Sequence, residues 1–237
     1  MPQIQLGNIA VDVVLKDIKN LHLSVYPPDG KVRIAAPDRM NLDTIRVYAI
    51  SKLDWIKSQQ AKIRSQEREA PREYLTRESH YYQGKRYLLK VIEQEAAPKV
   101  VLKHSTLELH VRPKTTADKR KIILDEWYRE RLKEKAPALV AKWEKKINVR
   151  ANEVAVKKMK TKWGTCKIEP KRIWLNLELM KKPPKCLEYI VVHELIHLLE
   201  RKHNDRFVEL MDKFLPEWRF LKDELNKLPI SHVDWGY

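Results

Sequence analysis

Apolar and polar residues alternate through Leu21, Leu23 and Val25 and again through Val32, Ile34 and Ala36, with Pro27-Pro28-Asp29-Gly30 between the two runs. A period of two puts each set on one face of a strand, and the Pro-Gly stretch reverses the chain, so the pattern predicts a hairpin. The period then changes. Ile45, Ala49, Leu53 and Ile56 recur at three- and four-residue intervals behind Asn41, which predicts one amphipathic helix with an asparagine cap. Residues 65–77 are densely charged and contain Pro71, as a connector would be. Two or three further strands fit between 81 and 111, with a turn at Gly84.

The second half reads as mostly helical. From 117 to about 147, Ile123, Trp127, Leu132, Leu139, Trp143 and Ile147 recur near heptad spacing, giving a long helix that Pro137 kinks or divides. Strands follow around 154–160 and 172–177. Behind Pro183-Pro184, the residues Leu187, Ile190, Val191, Val192, Leu195, Ile196, Leu198 and Leu199 make a segment apolar nearly all the way round, the mark of a buried helix. Asn204 and Asp205 cap a further helix over 206–215, and 206–228 holds one or two helices broken at Pro216. No internal repeat or low-complexity tract is visible.

The buried helix carries the chemistry. His193-Glu194-Leu195-Ile196-His197 sets two imidazoles four residues apart, about 40° around a helix axis, so both project from one face. Zinc is bound by neutral imidazole nitrogens, and a catalytic zinc keeps one position open for water. Glu194 stands where a general base for that water is needed. Two histidines and a glutamate in an apolar helix carry a desolvation cost, which metal binding offsets. The alternative is a pair of core histidines bonded to backbone carbonyls.

A third ligand is required, and His203 is the candidate. On an unbroken helix it would lie about 15 Å from His193 and off the shared face, so the chain must turn back near 200–202. The metzincin proteases share this spacing with a glycine at the turn. Here Glu200-Arg201-Lys202 occupy it, which predicts a non-glycine residue in a strained conformation. Carboxylates of Glu209 or Glu217 are the competing third ligands.

Charge adds a second theme. The 237 residues carry a formal net charge of +16, which attracts polyanions. Over 142–185, fourteen Lys or Arg face four acids. Lys158, Lys160 and Lys162 alternate with Met159, Thr161 and Trp163, so a strand there would align three ammonium groups on one face. Such a face is either simply solvated or a phosphate-binding surface beside the metal site, with little base specificity. Trp163-Gly164-Thr165-Cys166 spends one of only five glycines, which suits a bulge or a close backbone approach at the cleft. Two cysteines, Cys166 and Cys186, do not make a disulfide scaffold, no stretch approaches a membrane span, and Asp12 interrupts any signal core, so a cytoplasmic location is expected.

The segments Met159-Lys160-Thr161-Lys162-Trp163-Gly164-Thr165-Cys166, Ile173-Trp174-Leu175-Asn176, His193-Glu194-Leu195-Ile196-His197-Leu198 and His203-Asn204-Asp205-Arg206-Phe207 together resemble the YgjP-like metallopeptidase family. Lys52-Leu53-Asp54-Trp55-Ile56 and the N-terminal hairpin extend that resemblance over most of the chain. The last hundred or so residues also resemble the SprT- and Spartan-like proteases, which act on proteins crosslinked to DNA. The resemblance implies zinc on His193, His197 and His203, with Glu194 as catalytic base; Thr165 stands where the family usually has serine, and keeps the hydroxyl.

The expected fold class is α+β. A β-rich N-terminal subdomain over 1–115 precedes a zincin-like metallopeptidase domain over 116–237, with a small antiparallel sheet and a buried metal-binding helix. The expected activity is zinc-dependent hydrolysis of peptide bonds in a protein or peptide substrate, with recruitment to nucleic acid through Lys158, Lys160 and Lys162 as an added possibility. The alternative is a nucleic-acid-binding module with a structural or vestigial zinc site. His232 and nearby tyrosines are candidate donors to the oxyanion.

Overall fold

A computed structural model describes residues 2–26, 29–65, 72–159 and 162–227. They fall into two compact units, within Met1–Arg68 and within Glu69–Val233. In the first unit, strands β1 (Gln3–Leu6), β2 (Ile9–Lys16), β3 (His22–Tyr26) and β4 (Lys31–Pro37) form one sheet in the order β1-β2-β4-β3. The hairpin expected from the alternation is β3–β4, with Leu23 opposite Ile34 and Val25 opposite Val32; residues 27–28 of its turn lie outside the described residues. Ile4, Val11, Val13, Val32 and Ile34 form the buried face. The single helix expected next is two, α1 (Leu42–Ser51) and α2 (Leu53–Ser65), and together they contribute Ile45, Ala49 and Ile56 to that core. Asn41 caps α1 as expected, its Oδ1 accepting from Thr44 N at 2.8 Å.

The second unit opens with β5 (Ser79–Tyr82), β6 (Lys85–Glu93), β7 (Lys99–Leu102) and β8 (Thr106–Val111), ordered β5-β6-β8-β7. Strand senses repeat those of the first sheet: antiparallel, parallel, antiparallel. This duplication of topology leaves no trace as a sequence repeat, because only the hydrophobic pattern has to recur. Leu89, Leu107, Leu109 and Val111 of this sheet pack with Leu124 of the helix α3 (Ala117–Ile147). That shared core assigns residues 79–111 to the same unit as the metal helix, so the structural division falls near residue 68, where the sequence suggested 115.

Helix α3 runs unbroken through Pro137. The proline is exposed, as is Lys133 one turn before it, so the bond that Pro137 cannot donate falls on the solvent side of the helix. Its buried stripe is Leu124, Tyr128, Leu132, Ala136, Val140, Trp143 and Ile147, one position round from the expected one over the first half.

A third sheet follows from β9 (Glu153–Lys157), β10 (Gly164–Lys167) and β11 (Arg172–Asn176), in the order β10-β11-β9. The expected small sheet is therefore present, with one antiparallel and one parallel pairing. Helix α4 (Pro184–Ile196) packs against α3, β10 and β11, and nine of its residues are buried, as its apolar circumference requires. Helices α5 (Asp205–Phe214) and α6 (Trp218–Lys227) complete the described chain, separated at Leu215–Glu217 by the expected proline break. Among the described residues no helix is long and apolar enough to cross a membrane.

Candidate metal centre

Helix α4 ends at His197, where Leu198 N bonds Leu195 O at 3.0 Å and Leu199 N bonds Ile196 O at 2.8 Å. These three-residue closures tighten the last turn and redirect the chain. Asn204 then caps α5, its Oδ1 accepting from Phe207 N at 3.1 Å. No residue from 197 to 204 adopts a positive φ, so the strained non-glycine conformation expected at Glu200-Arg201-Lys202 is absent. The short closures make the reversal with ordinary dihedral angles, and no glycine is needed.

The reversal brings His203 back to the helix. Its Nε2 lies 3.0 Å from Nε2 of His193, and ligand atoms of His193, His197 and His203 all lie within 4.8 Å of one another. Among the described residues this is the one group of His, Cys, Asp and Glu side chains disposed to hold a metal ion; Glu209 and Glu217 do not join it. Phe207 lies beneath all three rings, with centroid separations of 5.0, 4.8 and 4.7 Å from His193, His197 and His203. It is buried, and in the sequence it has no role beyond closing the His203-Asn204-Asp205-Arg206-Phe207 segment.

Protonation suits cation binding. His197 Nδ1 lies 3.0 Å from the Glu200 carbonyl, which can only accept, so that nitrogen carries the proton and Nε2 keeps its lone pair. Burial, followed by the neighbouring charges of His197, His203 and Lys222, pushes the His193 imidazole down to about 3. It is therefore neutral at physiological pH, and its buried Nδ1 has no hydrogen-bond partner. Three imidazoles facing one another, with two Nε2 atoms in contact, form a donor set that fits zinc.

Glu194 packs against Gly164 of β10. It is buried, and burial raises its carboxyl to about 8, against the opposing effects of the Lys162 charge and a hydrogen bond from the Cys166 backbone. A Cβ on Gly164 would meet Glu194 Oε1 at 2.6 Å and Ile190 Cγ2 at 2.9 Å. The close-approach reading of Trp-Gly-Thr-Cys is thus the one observed; Gly164 pairs regularly with Leu175 and forms no bulge. Burial and the Glu194 charge push the Cys166 thiol up to about 11, so it is inert as a nucleophile.

A cleft of about 870 Å³ opens over these residues, bounded by β10 and the residues flanking it, by Tyr189 and Ile190 of α4, and by Arg201 and His203 of the turn. As an edge strand, β10 leaves one side of its backbone unpaired within its sheet.

Among the described residues, Lys158 and Lys162 do not lie on the expected strand face. Strand β9 ends at Lys157, and the Lys158 ammonium turns to Asp125 of α3 at 2.6 Å. Asn176 explains the departure from strand geometry: its Nδ2 donates to Met159 O at 2.9 Å and to Lys162 O at 2.8 Å, holding both as loop. Lys162 is exposed on the cleft, and Lys160 lies outside the described residues, as does His232.

A model of the YgjP-like family, described as a metallopeptidase domain, matches residues 19–228. No curated protein matches the chain. Among solved structures, the chain is similar to the metallopeptidase zymogen of Pyrococcus abyssi abylysin, with a TM-score of 0.35 and 19% identity over 37% of this chain and 89% of that one. The metallopeptidase zymogen of Methanocaldococcus jannaschii jannalysin gives a TM-score of 0.34 and 21% identity over 37% and 90%.

Proposed function

The chain belongs to the YgjP-like family through a metallopeptidase domain, and from that premise we propose that it is a zinc-dependent endopeptidase of the HExxH type, with His193, His197 and His203 holding the ion and Glu194 moving the proton. The observation that carries this reading is the meeting of three imidazole donors, two from α4 and one from the turn after it, at a cleft that also holds the buried Glu194 carboxyl. Zinc supplies a Lewis acid that acidifies water and polarises a carbonyl.

The chain's own residues do the rest. An extended substrate backbone pairs with the outer edge of β10, where the Cys166 amide is bonded to Glu194, and this pairing recognises peptide bonds in general and leaves selectivity to the walls. Glu194, buried beside the three imidazoles and at the same cleft, is the acid–base group of the site. A carboxylate oxygen of Glu194 takes a proton from the attacking water and returns it to the leaving amine. Phe207 beneath the rings and the Glu200 carbonyl on His197 Nδ1 keep the imidazoles oriented.

A nucleic-acid module with structural zinc is disfavoured. Structural zinc sites are closed by four ligands, whereas among the described residues three donors meet at an open cleft. Recruitment to nucleic acid loses Lys158, which is paired with Asp125, and rests on the net charge of +16 and on exposed cations such as Lys162. The decisive experiment compares wild type with Glu194→Gln. Zinc content is expected to stay the same while peptide hydrolysis falls by about 10³-fold or more. Equal activity in the variant overturns the assigned mechanism.

A further inference from the structure

The cleft carries charge that proton transfer does not use. Lys162 lies in the loop two residues before β10, Lys167 ends the strand, and Arg201 stands in the turn that delivers His203; all three line the cleft and are exposed. Around the same elements, cations are matched by acids: Lys158 by Asp125 at 2.6 Å, Arg172 by Glu153 at 2.6 Å and Lys142 by Glu188 at 2.7 Å. Among the described residues, Lys167 and Arg201 have no carboxylate at salt-bridge distance. The carboxyl that feels Lys162 is Glu194 itself. Apart from Glu194, Glu169 is the one acid on the walls.

The placement of these cations along the strand sets what they can recognise. Glu194 packs on Gly164 and accepts from the Cys166 backbone, so the bond under attack lies between Lys162 and Lys167. Fully extended, the chain from 162 to 167 spans at most about 17 Å. A peptide paired with β10 therefore brings side chains about two or three residues to either side of the reacting bond within reach of one lysine or the other. Arg201, from the turn after α4, lines the same cleft with a planar guanidinium suited to a carboxylate. A cleft with an excess of one sign of charge on its walls concentrates the opposite sign.

We propose that this cleft selects peptides carrying aspartate or glutamate on both sides of the bond cut. The proposal rests on the peptidase reading and adds a substrate class to it. It also runs against a preference for basic, DNA-binding proteins, whose lysines would meet Lys162, Lys167 and Arg201.

The test uses three fluorescent nonapeptides with one central sequence, flanked by Asp, Ala or Lys. Binding is measured by anisotropy on zinc-loaded Glu194→Gln protein, and cleavage on zinc-loaded wild type. The Asp-flanked peptide is expected to bind about tenfold more tightly than the Ala-flanked one, and the advantage should shrink as salt rises. Adding K167E and R201E, both at exposed positions, should invert the order of the Asp and Lys peptides. Equal affinity for the three peptides, or an order unchanged by the charge reversal, overturns the proposal. Failure of the peptidase reading looks different: wild type with bound zinc leaves all three peptides uncut, and the substrate proposal then falls with it.

Discussion

Gly164 and Glu194 are packed so closely that a methyl group on the glycine would sit 2.6 Å from Oε1 of the glutamate. The cleft strand and the metal helix are therefore in register at the one side chain that the proposed mechanism needs. Gly164→Ala must push the carboxyl, the strand or both. Overpacking of this kind costs about 1–3 kcal/mol, and a displacement near 1 Å at a reacting group costs about 10²-fold in rate. We expect kcat to fall by about that factor with zinc stoichiometry unchanged. Wild-type turnover in the alanine variant would show that the strand yields without moving the base.

His203 reaches the triad through the turn alone, whereas His193 and His197 are positioned by α4. His203→Ala should weaken zinc by more than about 100-fold, beyond the usual effect of losing an outer-shell partner. Chelator competition measures it. Unchanged affinity would move the third ligand to Glu209 or Glu217.

Asn176 holds Met159 and Lys162 by three hydrogen bonds, on either side of residues 160–161. Asn176→Ala removes the donor from two carbonyls and should destabilise the fold by about 1–3 kcal/mol. Because Lys162 begins the cleft wall, kcat/KM should fall as well. Urea unfolding and peptide hydrolysis report the two effects, and a loss of stability with no change in kcat/KM would separate this loop from the site.

His80 offers a prediction away from the cleft. Burial, then the charges of Arg72 and Lys181, push its imidazole from 6.5 down to about 3, although Glu78 Oε2 lies 3.4 Å away. The folded protein therefore holds His80 neutral while the unfolded chain takes up the proton. Its stabilising contribution is complete above pH 6.5 and is lost as pH falls toward 3, by up to about 1.4 kcal/mol per pH unit. His80→Gln should flatten the slope of unfolding free energy against pH between 7 and 5 relative to wild type. Parallel slopes would mean that His80 is protonated in the fold.

Local signals were legible wherever a few neighbouring residues decide the outcome. Asn41 and Asn204 cap helices as expected, because an N-cap bond spans three residues. The β3–β4 hairpin and the spacing of His193 and His197 follow from periods of two and of about four. The alternation at Lys158 and Lys162 misled for the same reason: period two describes a strand only if a neighbour pairs with it, and Asn176, distant in sequence, holds those residues as loop.

By itself, then, the sequence determined the β3–β4 hairpin, the helices from α3 onward, the buried character of α4 and the candidate donors His193, His197 and His203 with Glu194 beside them, all products of short-range backbone geometry and hydrophobic periodicity. Tertiary structure alone decided that Phe207 underlies the three imidazoles, that Gly164 makes room for Glu194, that Lys158 is spent on Asp125, and that residues 79–111 share a core with α3. Each of these joins residues far apart along the chain. Contacts of that kind depend on how packed elements meet, which no local pattern encodes.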